Sequence, residues 1–527
     1  MSRPARRSAP AGAAPLRRSA RGLKGRAVPS FCVVAAIVAL LGAPSAARRP
    51  NIVLIVADDL GYGELGCQGN AQIPTPQIDS LARNGVRMTD GYVTAPYCAP
   101  SRAGLLSGRN QARFGFHRNP TGAANLDPRA GLPLGVPTLA ERLRRLGYAT
   151  GLVGKWHLGA TAAHHPQQRG FDEFYGFLHE GHYYAPTDAP GVRSLLRIKA
   201  SPPGLPERWT EGNVTYSCHM NHDEPPYDRD NPILDGRRVV AEHEFLTDAW
   251  AHRAEQFIDR HCGRPFFLVL AYNAPHSPMQ ATDLYLQRFA AIEDFHRRMF
   301  AAMVAHLDDS VGRVLAALRR ADIERDTLIV FLSDNGGPTR ELTSSNAPLS
   351  GGKGSLLEGG IRVPMLVQWT GRLPAATVFR HPVSSLDIVP TALDAAGAAP
   401  EGKPAVGRPT TVVHDQTAAE QDLDGVSLLP FLSGRRTGEP HDVLYWHYGP
   451  ECALRSGDWK LLRRRSDDRP RLYHLATDIA ETRDLADEQP ERYAALNAKL
   501  DAWLAATDAE AARCDAEPNQ PVARPAP

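Results

Sequence analysis

Cysteine is scarce in this chain of 527 residues, with seven in all, at positions 32, 67, 98, 218, 262, 452 and 514. None forms a Cys-x-x-Cys pair and no His-rich cluster accompanies them, so nothing has the ligand spacing of a zinc site. His164-His165 reads as a solvated loop. The irregular spacing gives no disulfide framework, although one or two bridges stay open to an exported chain. A long apolar run is missing too: the run at 31–41 falls short of the ~20 residues that a membrane span requires. There is no internal repeat and no surplus of positive charge. Sixty Lys and Arg face 58 Asp and Glu, and without the eight basic residues of the first 47 the balance is 52 to 58. That excludes a strongly basic nucleic-acid-binding surface. What remains, 43% hydrophobic and 22% charged, is ordinary for a globular protein.

Residues 1–47 carry those eight basic groups, no acid, the apolar run and then the small residues Ser45-Ala46-Ala47. This is the layout of a signal peptide cleaved near Ala47, which makes the mature chain an exported protein, periplasmic or secreted. An uncleaved anchor is the alternative and the only route here to a membrane contact. The length exceeds what one core sustains. A large domain at 48–435, a smaller one at 436–513 and a disordered tail at 514–527 divide it. Short apolar runs at 52–56, 150–153, 266–270, 328–332 and 364–369 alternate with amphipathic stretches such as 137–146 and 300–318. That alternation predicts an α/β fold with strands buried on both faces. A polar, Gly- and Pro-bearing stretch at 402–425 reads as a loop. Strand-like runs at 443–448, 459–462 and 472–475, followed by a charged helix at 491–505, predict a small antiparallel sheet covered by a helix.

Chemistry-bearing residues follow the strands. Asp58-Asp59 comes after the first, Lys155 and His157 after the second, His276 after the third and Asp334-Asn335 after the fourth. Ligand sites in open α/β sheets lie beyond the carboxyl ends of the strands, so these groups can converge. Three carboxylates and an amide oxygen are hard ligands suited to calcium or magnesium. Each string alone also has a plain reading: turn acids, a surface lysine, a histidine held between Pro275 and Pro278. Lys353 stands in Gly351-Gly352-Lys353-Gly354, and residues 98–109 read Cys-Ala-Pro-Ser-Arg-Ala-Gly-Leu-Leu-Ser-Gly-Arg. Pro100 suits the first turn of a helix, which places Cys98 at a helix N-terminus, a position that favours anions.

The 98–109 string, with Cys98, Pro100, Arg102, Gly108 and Arg109, resembles the signature of the sulfatases. Gly154-Lys155-Trp156-His157 resembles a second signature of that family. The motifs stand in the family's order from about 49 to 504, and the C-terminal part is similar to that of the arylsulfatase A and N-acetylgalactosamine-6-sulfatase group. The resemblance implies an alkaline-phosphatase-like fold, a large mixed sheet sandwiched by helices. It implies that Cys98 is oxidised to formylglycine by a formylglycine-generating or anaerobic maturating enzyme. It places a divalent ion, Ca2+ or else Mg2+, on Asp58, Asp59, residue 98, Asp334 and Asn335. Lys155, His276 and Lys353 then contact sulfate, His157 a formylglycine hydroxyl, and Arg102 orients residue 98. A hydrated aldehyde suits the task because one hydroxyl attacks sulfur and the other expels the sulfate. The expected activity is hydrolysis of a sulfate ester, with a sulfated glycan or small molecule as substrate. A phosphonate monoester hydrolase or phosphodiesterase with the same nucleophile, or an unmodified binder of sulfated glycans, are the rivals. Specificity is expected from loops 110–125, 174–184 and 202–230, with His179, Glu180, His182 and Tyr183 as candidate sugar contacts. Asn213-Val214-Thr215 is a glycosylation sequon.

Overall fold

A computed structural model describes residues 49–398 and 422–516. The expected signal peptide and most of the expected loop at 402–425 lie outside the described residues, as do 517–527 of the expected tail. Positions 514–516 continue the last helix, Pro490–Ala516. No helix among the described residues is long and apolar enough to cross a membrane, and Cys67, Cys98, Cys218 and Cys452 form no disulfide.

A ten-stranded mixed sheet organises the chain. Its strands are β1 (Asn51–Ala57), β2 (Val86–Met88), β3 (Ala149–Lys155), β4 (Glu173–Phe177), β5 (Leu234–Asp235), β6 (Arg238–Val239), β7 (Phe266–Ala271), β8 (Thr327–Ser333), β9 (Met365–Gln368) and β10 (Thr377–Phe379). They lie in the order β6-β5-β4-β3-β7-β1-β8-β9-β2-β10. The five strands from β4 to β8 are mutually parallel, and β9 closes against β8 antiparallel. In β1 every residue is buried, and alternate side chains feed two cores: Val53, Ile55 and Ala57 on one face, Ile52, Leu54 and Val56 on the other. This is why the strand reads as one continuous apolar run instead of an alternating pattern.

Helices cover both faces. Leu246–His261 and Phe295–Arg320 pack Trp250, Phe257, Met299 and Phe300 on one side. Cys98–Ser107, Leu139–Arg145 and Ile388–Ala395 pack on the other. The helix after Thr138 starts where the sequence predicts, because Thr138 and Glu141 form a reciprocal capping box. A second sheet, built from Val192–Arg197, Arg208–Glu211, Val214–Ser217 and Met279–Thr282, stands beside the main one.

The C-terminal strands Leu444–Tyr448, Glu451–Ser456, Trp459–Arg463 and Arg471–His474 make an antiparallel meander. One face sets Leu444, Trp446, Ala453 and Leu462 against Tyr92, Leu356 and Ile361. The other is covered by helix Pro490–Ala516 through Leu496 and Leu500. Between this meander and the main body lies a buried ionic cluster. Lys460 Nζ sits 2.9 Å from Glu358 Oε1 and 2.9 Å from Glu481 Oε1, and Arg455 Nη1 lies 2.7 Å from Asp90.

Candidate active site

Strands β3, β7, β1 and β8 are neighbours in the parallel core, so the residues that follow them emerge along one edge. Asp58 and Asp59 follow β1, Lys155 ends β3, His276 lies five residues past β7 and Asp334 follows β8. The edge is tied together through the backbone: Asp58 N–H donates to Ala274 O (3.1 Å) and Asp334 N–H to Ala57 O (3.0 Å). Gly154 has φ +104°, and a Cβ there would run into the Ala271 carbonyl. Only glycine allows β3 to hold Lys155 this close to β7. Asp59 and His157 also take positive φ, 66° and 56°, a conformation that non-glycine residues hold only where surrounding contacts enforce it.

Helix Cys98–Ser107 enters this edge with its N-terminus and is buried along its whole length. Asn119 Oδ1 accepts from Ala99 N–H at 3.0 Å, and Gly108, with φ +70°, ends the helix. Cys98 Sγ lies 3.4 Å from Asp58 Oδ1. Lys155 Nζ is 2.6 Å from Asp58 Oδ2. Arg102 donates from Nε to Asp334 Oδ2 (2.8 Å) and from Nη1 to Lys155 O (3.0 Å). Lys353 Nζ is 2.8 Å from Asp59 Oδ2, and His276 Nε2 is 3.6 Å from the same oxygen. Cys98, Arg102, Lys155, His276, Lys353 and the three acids thus form one cluster.

Donor atoms of Asp58, Asp59, Cys98 and Asp334 all lie within 4.8 Å of one another. Asn335 donates from Nδ2 to Asp59 Oδ1 at 2.6 Å, while its buried Oδ1 has no hydrogen-bond partner among the described residues. An orphaned amide oxygen beside three buried carboxylates is costly unless something fills it. A hard divalent cation fits this donor set. Three carboxylates balance Arg102, Lys155 and Lys353, so a bound cation tips the site positive, as capture of an anion requires.

The environment sets protonation. Burial opposes ionisation of Asp58, but Lys155, His276, Arg102 and Lys353 together outweigh it and hold the carboxyl far below the usual range. Burial and then Asp58 push the Cys98 thiol well above its ordinary value. It is therefore a protonated thiol and a poor nucleophile as it stands. Burial and then Lys155 hold His157 well below its ordinary value, so its ring is neutral. Its Nε2 lies 2.9 Å from Pro120 O. A carbonyl only accepts, so Nε2 carries the proton and the buried, partnerless Nδ1 keeps a free lone pair. His276 is arranged the other way. Nδ1 donates to Ser277 O (2.5 Å) and Nε2 faces Asp59, with burial and then Lys353 lowering its pKa. The two prolyl bonds around it, Ala274–Pro275 and Ser277–Pro278, are cis.

A cavity of about 1010 Å3 opens onto His276 and Lys353. All three loops expected to set specificity reach it, with Asn119 and Thr121 from the first, Glu180 from the second, and Met220, Tyr227 and Arg229 from the third. Glu180 accepts from Gly122 N–H and Asn125 Nδ2, both at 2.7 Å, and so shapes the first loop. His182 is not brought to this cavity: its ring lies against Phe177 and its Nδ1 faces Tyr183 O (2.7 Å) and Asp228 (3.1 Å). The sequence gives no hint of Tyr97, Arg197 and Glu341, which also line the wall. They sit on unremarked segments, and only the fold places them there.

A family model described as Sulfatase matches residues 50–398. Arylsulfatase A of Bos taurus is 34% identical over 437 residues, covering 80% of this chain and 76% of the relative. The crystal structure of Ps i-CgsB in complex with k-i-k-neocarrahexaose is similar with a TM-score of 0.72 at 34% identity, over 89% of this chain and 98% of that one. Phosphonate monoester hydrolase of Agrobacterium radiobacter shares the fold alone, with a TM-score of 0.58 at 19% identity over 88% of this chain and 96% of that one.

Proposed function

Because this chain belongs to the sulfatase family and is a sulfuric ester hydrolase, we propose that it removes sulfate from a sulfated carbohydrate with a formylglycine made from Cys98 and a divalent ion, Ca2+ before Mg2+. What carries this is one observation: Cys98, three carboxylates and three cationic side chains meet on a single sheet edge, at the foot of a cavity large enough for sugar rings. The solved relative that holds neocarrahexaose supports a glycan as substrate. The basic and apolar leader supports export.

Asp58, Asp59, Asp334 and Asn335 Oδ1 would hold the ion, with residue 98 completing the set. Once bound, the ion supplies the positive charge that lets an anionic ester approach the acids. The aldehyde hydrate at position 98 supplies a hydroxyl to attack sulfur and a second to release the sulfate. Around these groups the chain's own residues do the rest. Lys155 and Lys353 neutralise the sulfate oxygens, where charge grows in the transition state. Arg102, locked to Asp334 and the Lys155 carbonyl, fixes the helix that presents residue 98. His276 would donate a proton from Nε2 to the departing alcohol once its ring is doubly protonated, and the burial and Lys353 that lower its pKa make that ring a ready proton donor. His157 accepts a proton on its free Nδ1.

Two measurements test this on protein matured in a formylglycine-forming host. Release of sulfate from defined sulfated oligosaccharides is expected, with an aryl sulfate turned over faster than an aryl phosphodiester. The reverse preference transfers the chain to phosphodiester or phosphonate chemistry. The tryptic peptide containing residue 98 is expected lighter than its cysteine form. An unmodified thiol in active protein defeats the proposal, and one in inactive protein from the native host favours a glycan binder.

A further inference from the structure

Glu341 ends the segment that leaves the Asp334–Gly337 loop, on the short helix Thr339–Leu342. Both ends of the residue are pinned. Its carbonyl faces His296 Nε2 at 2.8 Å and His219 Nε2 at 3.4 Å. Its Oε1 accepts from Arg197 Nη1 (2.5 Å) and Ser277 Oγ (2.7 Å). Arg197 is itself clamped by Glu224, at 2.6 and 2.9 Å, and lies 3.2 Å from the Tyr227 hydroxyl. Among the described residues no hydrogen bond reaches the second carboxylate oxygen, Oε2, although the residue lines the cavity with Lys353 and His276.

Burial opposes its ionisation, but Arg197, Lys353 and His276 hold the carboxyl down to about 2. It is an anion that can only accept, so a sulfate oxygen repels it and a hydroxyl satisfies it. We propose that Glu341 is a specificity-determining residue whose free oxygen accepts a hydrogen bond from a substrate hydroxyl beside the scissile ester, so that the enzyme selects sugars in which that neighbouring position is unsulfated. This rests on the sulfatase reading above. Lys353 and His276 meet the ester, and Glu341 is bonded to Ser277, the residue after His276, so the hydroxyl it reads is the one next to the ester. Arg197 and Ser277 hold the carboxylate in place before substrate arrives, which spares the cost of ordering it on binding.

The test is a cycle of two changes on the matured enzyme: Glu341→Gln, and removal of the neighbouring hydroxyl from a monosulfated sugar as its deoxy analogue, with 4-nitrophenyl sulfate as reference. A hydrogen bond to a charged acceptor predicts that wild type prefers the parent sugar about ten- to hundredfold in kcat/KM over the deoxy analogue. The sugar sulfated at both positions is disfavoured further. In E341Q the preference between parent and deoxy sugar falls several-fold, because the amide can offer the hydroxyl only a neutral hydrogen bond in place of the charged one. Wild-type enzyme that turns over parent and deoxy sugars alike overturns the assignment, and so does E341Q that keeps the preference. The wild-type comparison stands even where the variant does not fold. Absence of turnover on every sulfate ester, 4-nitrophenyl sulfate included, instead defeats the sulfatase reading itself.

Discussion

Replacing Lys460 by methionine removes one ammonium from the ionic cluster beneath the C-terminal meander and keeps most of the side-chain volume. Lys460, Glu358 and Glu481 have fully buried side chains. After the change Glu358 still has Arg362 Nη1 at 3.2 Å and the Tyr92 hydroxyl at 2.5 Å, whereas Glu481 loses the cation it is paired with. Stripping one partner from a buried ion pair costs about 3–5 kcal/mol. The chain can limit the loss by protonating Glu481, whose pKa is already raised by burial. Keeping a proton on a carboxyl of ordinary pKa about 4.3 costs about 1.36 kcal/mol per pH unit, hence about 3.7 kcal/mol at pH 7 and about 1 kcal/mol at pH 5. The sign follows from linkage: a carboxyl with a raised folded pKa binds more protons folded than unfolded, so stability falls as pH rises. Lys460→Met therefore loses about 3–4 kcal/mol at pH 7 and only about 1 kcal/mol at pH 5. Urea unfolding read by tryptophan fluorescence measures both, since Trp446 and Trp459 lie in the same sheet. A loss below 1 kcal/mol at pH 7, or equal losses at the two pH values, refutes the reasoning.

Calcium added to chelator-treated protein is expected to raise Tm by a few degrees, since ion at a hundred times its Kd adds about 2.7 kcal/mol to the folded state; Asp334→Asn should abolish the shift, and a wild type indifferent to calcium counts against the site. His276→Ala should lower kcat/KM about 10²- to 10⁴-fold on a sugar sulfate but far less on 4-nitrophenyl sulfate, whose leaving group departs without a proton. Equal losses on both substrates would remove His276 as proton donor. His441 Nε2 lies 2.8 and 2.9 Å from the two oxygens of buried Asp387; burial opposes its protonation, but Asp387 prevails and raises its pKa. The stability it contributes is full below its ordinary pKa of about 6.5 and is lost as pH climbs through the raised value. Urea midpoints from pH 6 to 9 should fall more steeply for wild type than for His441→Gln, and parallel curves would reject this.

The core strands were legible because burial on both faces leaves an uninterrupted apolar run, as at 52–56 and 328–332, and the acids that end those runs announced the site edge. The small side sheet was not. Its strands 192–197 and 279–282 pair across some 85 residues of chain, and nothing local in Val192 or Met279 encodes a partner that distant. Glu451–Ser456 went unseen since its polar ends hide a short buried middle. His182 shows the limit from the other side. It lies in the right loop, but Phe177 and Asp228 hold its ring away, and loop membership carries no information about where a ring turns. Arg197 and Glu341, 144 residues apart, meet only because the end of a side-sheet strand and the short helix Thr339–Leu342 border one cavity.

The helix that begins at Cys98 has no exposed residue, and Tyr97 just ahead of it stacks at 5.1 Å on Tyr448 of the C-terminal meander. Nothing along that helix is exposed for an outside molecule to hold in the folded protein. On the proposal that this thiol is converted, the conversion would have to precede the docking of the meander strand that carries Tyr448.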